Sequence, residues 1–395
     1  MATSAAGGDA PRVLIVGAGL SGAVLARVLA EGGVRAVIHE ERPHVAGHCH
    51  TERDRETGVL VHRHGPHTLH TDDAEIWAFV ERFADIYPYR HIKCARVGDE
   101  LYPLPINLQT LNQFFRRALT PADARALVAA EAAAGSRGIA DPPANFEEAA
   151  LARIGRRLYE AFYRGYTVKQ WGVEPRELPA KVFGRLPIRF NYDQNYFHHR
   201  RQGQPVGGYT EMIGRILDHP NIAVHLSRPF DAAGGRDGFR QVFYSGPIDR
   251  FFGWRHGRLA YRTLRFEDER LTGDAQGCAV INYCDESVPY TRVTEHKHFS
   301  QWENVESTLV SYEHSADCGP DDAPYYPIRL ANDRARFATY VASAEATAGV
   351  TFIGRLGTYR YIDMDVAIRE AMTAGAAALA AFSEGGSIPA FFVRP

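Results

Sequence analysis

Residues 12–22 read RVLIVGAGLSG, a short apolar run followed by three closely spaced glycines. The apolar, β-branched run is typical of a buried parallel strand, and helical spacing of apolar residues begins directly after it. Gly17, Gly19 and Gly22 allow a tight turn, close approach of a pyrophosphate and close packing of helix on strand. Glu40 ends a second predicted strand about twenty residues later, where a carboxylate can bind a ribose hydroxyl. The stretch therefore predicts a Rossmann-like dinucleotide-binding unit.

This glycine fingerprint does not choose between cofactors, because proteins that bind FAD and proteins that bind NAD both carry it. Its position at the start of the chain, and a second glycine–arginine element at Gly354-Arg355, favour FAD. A tight turn without any ligand is the alternative, and the surrounding strand, helix and acidic residue argue against it. FAD is accordingly the predicted cofactor.

Composition excludes two broad classes of protein. The chain has 395 residues, with 45 Lys and Arg against 47 Asp and Glu, and a formal net charge of -2. Hydrophobic residues make up 45% and charged residues 23%, a globular balance that excludes a mostly disordered chain. Because there is no basic excess, a nucleic-acid binder driven by bulk charge is excluded as well.

Cysteine usage and apolar patterning indicate the compartment. The five cysteines are odd in number and form no CxxC motif, as is typical of reduced thiols in a cytosolic protein. The first residues, MATSAAGGDAP, lack the basic and apolar regions of a secretory signal. No run of about 18 apolar residues occurs. We therefore expect a cytoplasmic protein without a membrane span.

Segments with α/β character are separated along the chain, so the predicted fold is one discontinuous α/β domain with two insertions. Two long helices are predicted over 110–134 and 146–166, and β-rich alternation over 258–297 predicts an antiparallel sheet. The predicted units are a Rossmann-like FAD-binding domain (12–85, 206–250 and 335–386), a helical domain with a mobile loop (105–170) and an antiparallel-sheet substrate domain (86–104, 171–205 and 251–334).

Histidines crowd the region that follows the second predicted strand. A zinc site would need ligand pairs at characteristic spacings, and neither these nor an HExxH motif occur, so no metal is predicted. Ordinary core and surface histidines are the plainest interpretation, and one histidine in a flavin site is the other. The histidines concerned are His48, His50, His62, His64, His67 and His70.

Two arginines and three aromatic residues are candidates for binding a nucleotide. Arg185 and Arg292 each stand beside proline and aromatic residues, and a guanidinium binds a diphosphate through parallel hydrogen bonds. A surface ion pair is the alternative for either arginine. Tyr163, Tyr166 and Trp171, near the end of a predicted helix, can stack on a nucleobase, although core packing is the commoner role.

Taken together, these stretches resemble the UDP-galactopyranose mutase family. The resemblance runs from Val13 to about Phe382, and its stretches appear in order. They include VLIVGAGLSGAV, GPHTLHT, LPINLQTLNQFF, YEAFYRGYTVKQWG, ELPAKVFGRLPIRFNYDQNYF, VFYSGPID, VPYTRVTEHKHF and FIGRLGTYRYIDMD. The family combines an FAD domain, a helical domain and a twisted antiparallel sheet, which agrees with the predicted organisation.

The resemblance implies a reaction, the interconversion of UDP-galactopyranose and UDP-galactofuranose without net redox change. N5 of reduced FAD would attack the anomeric carbon, so that the sugar ring can open and close again through another hydroxyl. The implied partners are the nucleotide-sugar substrate and NAD(P)H or another reductant, and relatives are often homodimers. A flavin oxidase and a sugar-nucleotide sensor with a degenerate site are the alternatives from other classes.

The resemblance also implies residue roles, by position in this sequence. Arg185 and Arg292 would hold the diphosphate, and His70 would lie near N5 of the flavin. The other implied substrate-binding residues are His91, Phe162, Tyr163, Tyr166, Thr167, Trp171, Tyr196, Asn282, Tyr326 and Tyr361. The implied FAD-binding residues are Gly17, Gly19, Gly22, Glu40, Gly47, His48, Gly65, His67, Arg355, Tyr361, Asp363 and Met364.

Several positions near the implied sugar depart from the family pattern. His91 stands where relatives often carry Asn, His64 stands where Tyr is common, and Leu69 replaces Phe. Ala46-Gly47-His48 replaces the usual Gly-Gly-Asn. The hexose is therefore left open between galactose, its N-acetyl form and a deoxy sugar such as fucose, and the nucleotide is left open as well.

Overall fold

The structure is a computed structural model that describes residues 11–185, 187–232, 234–330 and 333–395, apart from the side chains of 184 and 185. The described strands are β1 (Arg12–Val16), β2 (Arg35–His39), β3 (Thr51–Arg53), β4 (Leu60–His62), β5 (Leu69–Thr71), β6 (Ile86–Pro88), β7 (Lys93–Val97), β8 (Glu100–Leu104), β9 (Arg201–Pro205), β10 (Ile222–His225), β11 (Gln241–Tyr244), β12 (Tyr261–Thr272), β13 (Val280–Tyr283), β14 (Arg292–Glu295), β15 (Ser307–Asp317), β16 (Tyr326–Pro327) and β17 (Val350–Phe352). The described helices are α1 (Leu20–Glu31), α2 (Ala74–Glu81), α3 (Leu108–Phe115), α4 (Pro121–Gly135), α5 (Phe146–Tyr159), α6 (Gly165–Trp171), α7 (Tyr209–Leu217), α8 (Ile248–Phe251), α9 (Asp333–Glu345), α10 (Gly354–Gly357) and α11 (Met364–Glu384).

The first strand lies at the centre of a five-stranded parallel sheet with the order β10-β2-β1-β11-β17. Ile15 of β1 lies opposite Ile38 of β2 and Phe243 of β11. Side chains of β1 are buried on both faces, as its continuous apolar run predicts. Helices α1, α7 and α11 cover one face, and α8 and α9 contribute to the core on the other. The prediction of an α/β fold with a Rossmann-like unit is confirmed.

The closing helix, α11, is long and apolar enough to span a membrane by length and composition, the single helix of this kind in the described ranges. One of its faces packs in the core beside α1, and Arg369 forms ion pairs with Asp73 and Glu75. Core helices of soluble proteins pass the same test of length and composition. The packing of α11 in this fold accounts for its apolar face.

A second, seven-stranded sheet has the order β16-β12-β15-β14-β13-β7-β8. It is antiparallel, as expected, except that β7 and β13 run parallel. A parallel pair needs a long connection, and the helical segment from α3 to α6 lies between these two strands in the chain. The sheet is therefore assembled from stretches on both sides of the helical segment.

A third sheet of three strands, β5-β9-β6, joins stretches that the sequence assigned to different units. Residues 201–205, expected in the substrate domain, form β9 and pair with β5, which lies in the first FAD-binding stretch. The same strand pairs with β6. Backbone pairing thus links stretches that the sequence assigned to the FAD-binding and the substrate domains.

The helical segment differs from the two long helices expected over 110–134 and 146–166. The first divides into α3 and α4, because Arg116 takes a left-handed backbone (φ 53°) and Thr120 caps a new helix. Within the second, Gly155 (φ 75°) breaks the helical path of α5. A Cβ at Gly155 would lie 2.5 Å from the carbonyl oxygen of Glu131, so this break lets α5 pack closely on α4.

All five cysteines are free thiols, as the sequence predicts.

Candidate active site

A cavity of about 1390 Å³ opens at the carboxyl end of β1 and continues to the seven-stranded sheet. The glycine turn after β1 lines one end, and Arg292 of β14 lines the other. Trp171, at the end of α6, and Tyr326 of β16 also line it. Pockets for one small ligand usually measure about 300–1,000 Å³. The cavity therefore has room for a cofactor and a substrate together.

The glycine turn presents backbone to the cavity. Gly17 has φ +100°, and a Cβ there would overlap the Oγ of Ser245. A Cβ on Gly22, in the first turn of α1, would overlap the carbonyl oxygen of Gly17. Gly47 lies close to Gly19, and a Cβ added to Gly47 would lie only 3.1 Å from the Cα of Gly19. Side chains are thus excluded from the place where a dinucleotide pyrophosphate meets a helix N-terminus.

Glu40 lies directly after β2, at the edge of the same turn. Its Oε2 accepts a hydrogen bond from the backbone N–H of Ala18 (2.8 Å), and its Oε1 accepts one from the N–H of Arg42 (2.9 Å). Only 5% of the residue is exposed, and that surface lines the cavity. The two amides fix the carboxylate in the position where Rossmann-like folds bind a ribose.

His48 lies between two arginines. An N–H of Arg355 approaches its Nδ1 (2.9 Å), and an N–H of Arg42 approaches its Nε2 (3.3 Å). Burial lowers the pKa of His48 well below its usual value, and the two arginines lower it further. The ring is therefore neutral, so only one of its nitrogens can accept a hydrogen bond at a time. The arginines leave this corner of the cavity electropositive.

The residues predicted to bind FAD come together in this cavity. His67, one of them, is held by a contact between its Nδ1 and the carbonyl oxygen of Gly65 (2.8 Å), and burial lowers its pKa to about 4. Backbone at the glycine turn, a carboxylate at the ribose position and an electropositive corner fit a flavin dinucleotide. The members that line the cavity are Gly17, Gly19, Gly22, Glu40, Gly47, His48, Gly65, His67, Arg355, Tyr361, Asp363 and Met364.

At the far end, Arg292 of β14 forms an ion pair with Glu313 of β15, with Nε 2.7 Å from Oε2. The two residues are directly opposite each other in the antiparallel register. Burial lowers the pKa of Arg292, but Glu313, Tyr166 and Tyr326 together outweigh this effect and raise the pKa well above its usual value. Glu313 is fully buried, whereas Arg292 reaches the cavity, so a permanently charged guanidinium faces any ligand there.

Aromatic side chains surround this guanidinium. Tyr326 stacks on Tyr361 with ring centroids 5.4 Å apart, and Trp171 lies 6.5 Å and 6.3 Å from these two rings. Burial raises the pKa of Tyr166 and of Tyr326, which keeps both hydroxyls protonated as donors. The predicted substrate-binding residues that line the cavity are His91, Tyr163, Tyr166, Thr167, Trp171, Tyr196, Tyr326 and Tyr361.

His70 lies on β5 between the two ends of the cavity. Its ring stacks on Phe197 (3.8 Å between centroids), and its Nδ1 lies 2.8 Å from Nδ1 of His199. His91 packs near the same phenylalanine, and burial lowers the pKa of His91 well below its usual value. The two histidines thus form a continuous ring-lined wall in the middle of the cavity.

Four expected positions do not form part of the described wall. Phe162 packs in the helical core against Tyr102 and Phe114. Leu69, expected near the sugar, is fully buried in the FAD-binding core. Asn282 is buried on β13 beside Arg292, but does not line the cavity. The side chain of Arg185 lies outside the described residues.

Sequence reasoning missed two charged side chains of this site, Lys93 and Glu313. Lys93 lines the cavity, and Glu313 holds Arg292 in place. Glu313 alternates with apolar residues in a strand, and this pattern alone favours a solvent-facing carboxylate. Only four of the 45 basic residues Lys and Arg are lysines, and Lys93 is one of them. This scarcity of lysine is visible in the sequence and marks Lys93 as unusual.

Metal ligands do not gather among the crowded histidines. The one group of three His, Cys, Asp or Glu ligands found in the described part of the chain is Asp274, Glu295 and His298, away from the cavity. Glu295 there already accepts hydrogen bonds from two backbone amides and from Thr308. The carboxylate of Glu295 is thus part of a hydrogen-bond network that links it to the neighbouring backbone.

Fold and cavity together define a dinucleotide-binding enzyme of the Rossmann-like class, and the model of the NAD(P)-binding Rossmann-like domain matches residues 15–83. The model of the UDP-galactopyranose mutase family matches residues 161–361. Together with the relatives described next, this match shows that the chain belongs to the UDP-galactopyranose mutase family, whose members are nucleotide-sugar isomerases. The resemblance seen in the sequence is thereby confirmed.

Two relatives with nearly equal similarity carry different names. A protein of Klebsiella pneumoniae named "Probable UDP-galactopyranose mutase" is 49% identical over 381 residues, 96% of this chain and 98% of the relative. The dTDP-fucopyranose mutase of Escherichia coli is 46% identical over 367 residues, 91% of this chain and 96% of the relative. Family membership therefore does not choose the sugar or the nucleotide.

Solved structures with low sequence identity share the fold. A crystal structure of reduced UDP-galactopyranose mutase has a TM-score of 0.74 at 16% identity, and covers 94% of this chain and 96% of its own. A putrescine oxidase variant redesigned in cofactor binding has a TM-score of 0.57 at 14% identity, covering 94% and 100%. The architecture is thus shared by enzymes of different activities.

Proposed function

We propose that the chain interconverts UDP-galactopyranose and UDP-galactofuranose, with reduced FAD as its cofactor. The observation that carries the proposal is the continuous cavity that links the glycine turn to Arg292. One end matches a flavin dinucleotide and the other presents a charged guanidinium among tyrosines. Membership of the mutase family supports the same reaction.

When bound, a reduced flavin would supply nucleophilic chemistry at the anomeric carbon of the substrate. The protein holds the dinucleotide through the glycine turn, Glu40 and the electropositive corner at His48 and Arg355. Arg292 and the hydroxyl of Tyr326 bind the diphosphate and stabilise the negative charge that develops on it as a leaving group. Tyr166 and Trp171 pack against the nucleobase.

His70 is proposed to lie against the flavin ring near N5, to hold that ring in position and to exchange a proton there. Its stacking on Phe197 and its contact with His199 fix the plane of the imidazole. Since two facing nitrogens can share only one proton, the pair can hold or release a proton without moving. Arg185 remains proposed as the second diphosphate-binding cation on the basis of its position in the sequence alone.

A second candidate substrate is dTDP-fucose, which the name of one close relative suggests. The dTDP-fucopyranose mutase is almost as similar to the chain as the relative named for galactose. The middle of the cavity is walled by histidines, at His70 and His91, and by the ring of Phe197. The ring faces of this wall, with Phe197 among them, can pack against the methyl group of a deoxy sugar.

The cellular setting is part of the proposal. NAD(P)H or another reductant would keep the flavin reduced, in the cytoplasm, where five free thiols persist. A homodimer is proposed only because relatives in the family are often homodimers. Neither feature enters the chemistry of the cavity.

The deciding experiment is anaerobic turnover of UDP-galactofuranose and of dTDP-fucofuranose, each with dithionite-reduced and with oxidised protein. We expect the pyranose form to appear only with reduced protein, without consumption of an electron acceptor. Preference for one substrate by more than tenfold in kcat/KM assigns the sugar nucleotide. Consumption of an acceptor at each turnover would instead identify an oxidase, and absence of bound flavin would overturn the proposal.

A further inference from the structure

Lys93 is placed by β7 on the same face of the seven-stranded sheet as Arg292. In the strand register, Ala95 lies opposite Asn282 of β13, and Asn282 lies opposite Arg292 of β14. Lys93 is two residues before Ala95, and alternate residues of a strand point to the same face. The side chain of Lys93 therefore points to the same face of the sheet as Arg292, two residues along the strand from the row that contains Arg292. It lines the wall of the cavity.

The ammonium of Lys93 has no counter-charge at contact distance. Its Nζ lies 4.4 Å from the ring centroid of Tyr196, a cation–π contact. Across the described ranges, no hydrogen-bond acceptor and no carboxylate within 4.0 Å meets this nitrogen. The nearest acidic group that influences it, Glu313, is already paired with Arg292. The lysine is 94% buried, with an exposed fraction of 6%.

Such an arrangement is costly without a ligand, because a buried ammonium loses its hydration and gains little in return. Burial lowers the pKa of Lys93 to about 7, and Arg292 lowers it further while Glu313 opposes this. The other titratable or charged groups that face this part of the wall are His91 on the preceding segment and the phenols of Tyr166 and Tyr196. None of them is an anion at neutral pH.

A second polar atom nearby is also without a partner. Oδ1 of Asn282, on the strand between Lys93 and Arg292, is buried and accepts no hydrogen bond from the described residues. Asn282 does not line the cavity, and its Oδ1 can only accept, so it offers nothing to an anion. The sheet therefore presents to the cavity the ammonium of Lys93 beside a guanidinium whose charge Glu313 balances. When Lys93 is protonated, two cations against one carboxylate leave this face with one excess positive charge.

We propose that Lys93 is a further substrate-binding residue, whose ammonium contacts the diphosphate of the nucleotide sugar alongside Arg292. This inference rests on the proposed function and deepens it. A diphosphate supplies the counter-charge that the sheet lacks, and it would lie between the two cations with the ring of Tyr196 beneath the ammonium. A charged contact of this kind holds the leaving group in one orientation.

The proposal has a consequence that separates binding from a merely structural cation–π contact. At pH 8 the free site holds Lys93 largely neutral, since its pKa is about 7. A bound anion raises that pKa, so the complex takes up a fraction of a proton from solution at this residue. A lysine that only packs on Tyr196 would take up none when a ligand binds.

The test is calorimetric titration of flavin-loaded protein with UDP and with dTDP at pH 8, in two buffers that differ in ionisation enthalpy. Wild type, Lys93→Met, Lys93→Arg and Ile92→Met are compared, where Ile92 is an exposed neighbour outside the cavity. We expect Lys93→Met to weaken the tighter nucleotide by about 10- to 100-fold and to remove the proton uptake. Lys93→Arg should recover the affinity without the proton uptake, and Ile92→Met should match wild type.

The outcomes separate the two proposals. Binding by wild type, with equal affinity and equal proton uptake in Lys93→Met, would overturn the role of Lys93 and leave the proposed function intact. Failure of wild type to bind either nucleotide would overturn the proposed function and this inference with it. If Lys93→Met loses its flavin or the circular dichroism spectrum of the folded protein, Lys93→Gln takes its place. Nucleotide affinity and proton uptake are then measured on that variant in the same way.

Discussion

Arg292 and Glu313 lie directly opposite each other on neighbouring antiparallel strands, and their ion pair is buried on the Glu313 side and open to the cavity on the Arg292 side. Glu313 therefore has two effects at once. It keeps the guanidinium charged and fixes the direction in which its free N–H groups point.

Replacement of Glu313 by Gln should destabilise the protein, because it leaves the charge of Arg292 uncompensated. We expect a loss of about 3 kcal/mol, which corresponds to a fall of about 3–4 °C in the thermal unfolding midpoint for a chain of this length. Glu267→Gln, on the exposed part of β12, is the control and should change stability by less than about 0.5 kcal/mol. Equal melting temperatures for the two variants would contradict this account of the pair.

Arg292→Ala should lower kcat/KM for the preferred nucleotide sugar by at least about 100-fold, since it removes the proposed charged contact to the diphosphate. Its flavin absorbance should be unchanged, because the glycine turn lies at the other end of the cavity. Arg265→Ala, an exposed arginine on β12, is the matched control and should retain full activity. Full turnover by Arg292→Ala would remove the main support for the diphosphate site.

Gly22→Ala should lower flavin occupancy, measured as the ratio of flavin to protein absorbance. The added Cβ would overlap the carbonyl oxygen of Gly17 and displace the glycine turn, and we expect at least tenfold weaker FAD affinity. Gly214→Ala makes the same change in α7, where nothing lies within 4 Å of the new Cβ. That control should bind FAD normally and gain about 0.5–1 kcal/mol of stability.

The hydrogen bond between His298 and Glu295 makes stability depend on pH. It raises the pKa of His298 above its ordinary value of 6.5, and the carboxylate of Asp274 adds to this effect. A histidine with a raised folded-state pKa stabilises the protein fully below 6.5, and this contribution is lost as the pH rises through the folded-state value. The difference in melting temperature between wild type and His298→Gln should therefore be largest near about pH 5.5 and shrink towards about pH 9. A difference that grows with pH would contradict the assignment.

Local sequence signals were sufficient for the cofactor end of the cavity. The strand, the glycine turn and Glu40 are neighbours in sequence, so their geometry follows from turn chemistry and periodicity. Strand β1 and helix α1 also lie where the apolar run and the helical spacing after it predict them. In these segments, local preference and tertiary packing favour the same conformation.

The substrate end was only partly predictable, because its residues meet through strand pairing between distant segments. The position of Lys93 depends on the parallel register of β7 with β13, which a single sequence does not specify. The inward orientation of Glu313 depends likewise on its partner Arg292. The break at Gly155 was missed because apolar spacing continues across it, while the close contact with Glu131 requires the left-handed backbone.

The order of strands in the parallel sheet has a consequence for the protein as it leaves the ribosome. In the sheet, β1 lies between β2 and β11. In the sequence, more than half of the chain separates β1 from β11. One edge of the nascent β1–β2 pair therefore stays without its neighbour until Tyr244 has emerged, and β17 and α11 arrive later still. A truncated chain would therefore carry an intact glycine fingerprint beside an open hydrophobic sheet edge, a surface prone to pairing with other chains.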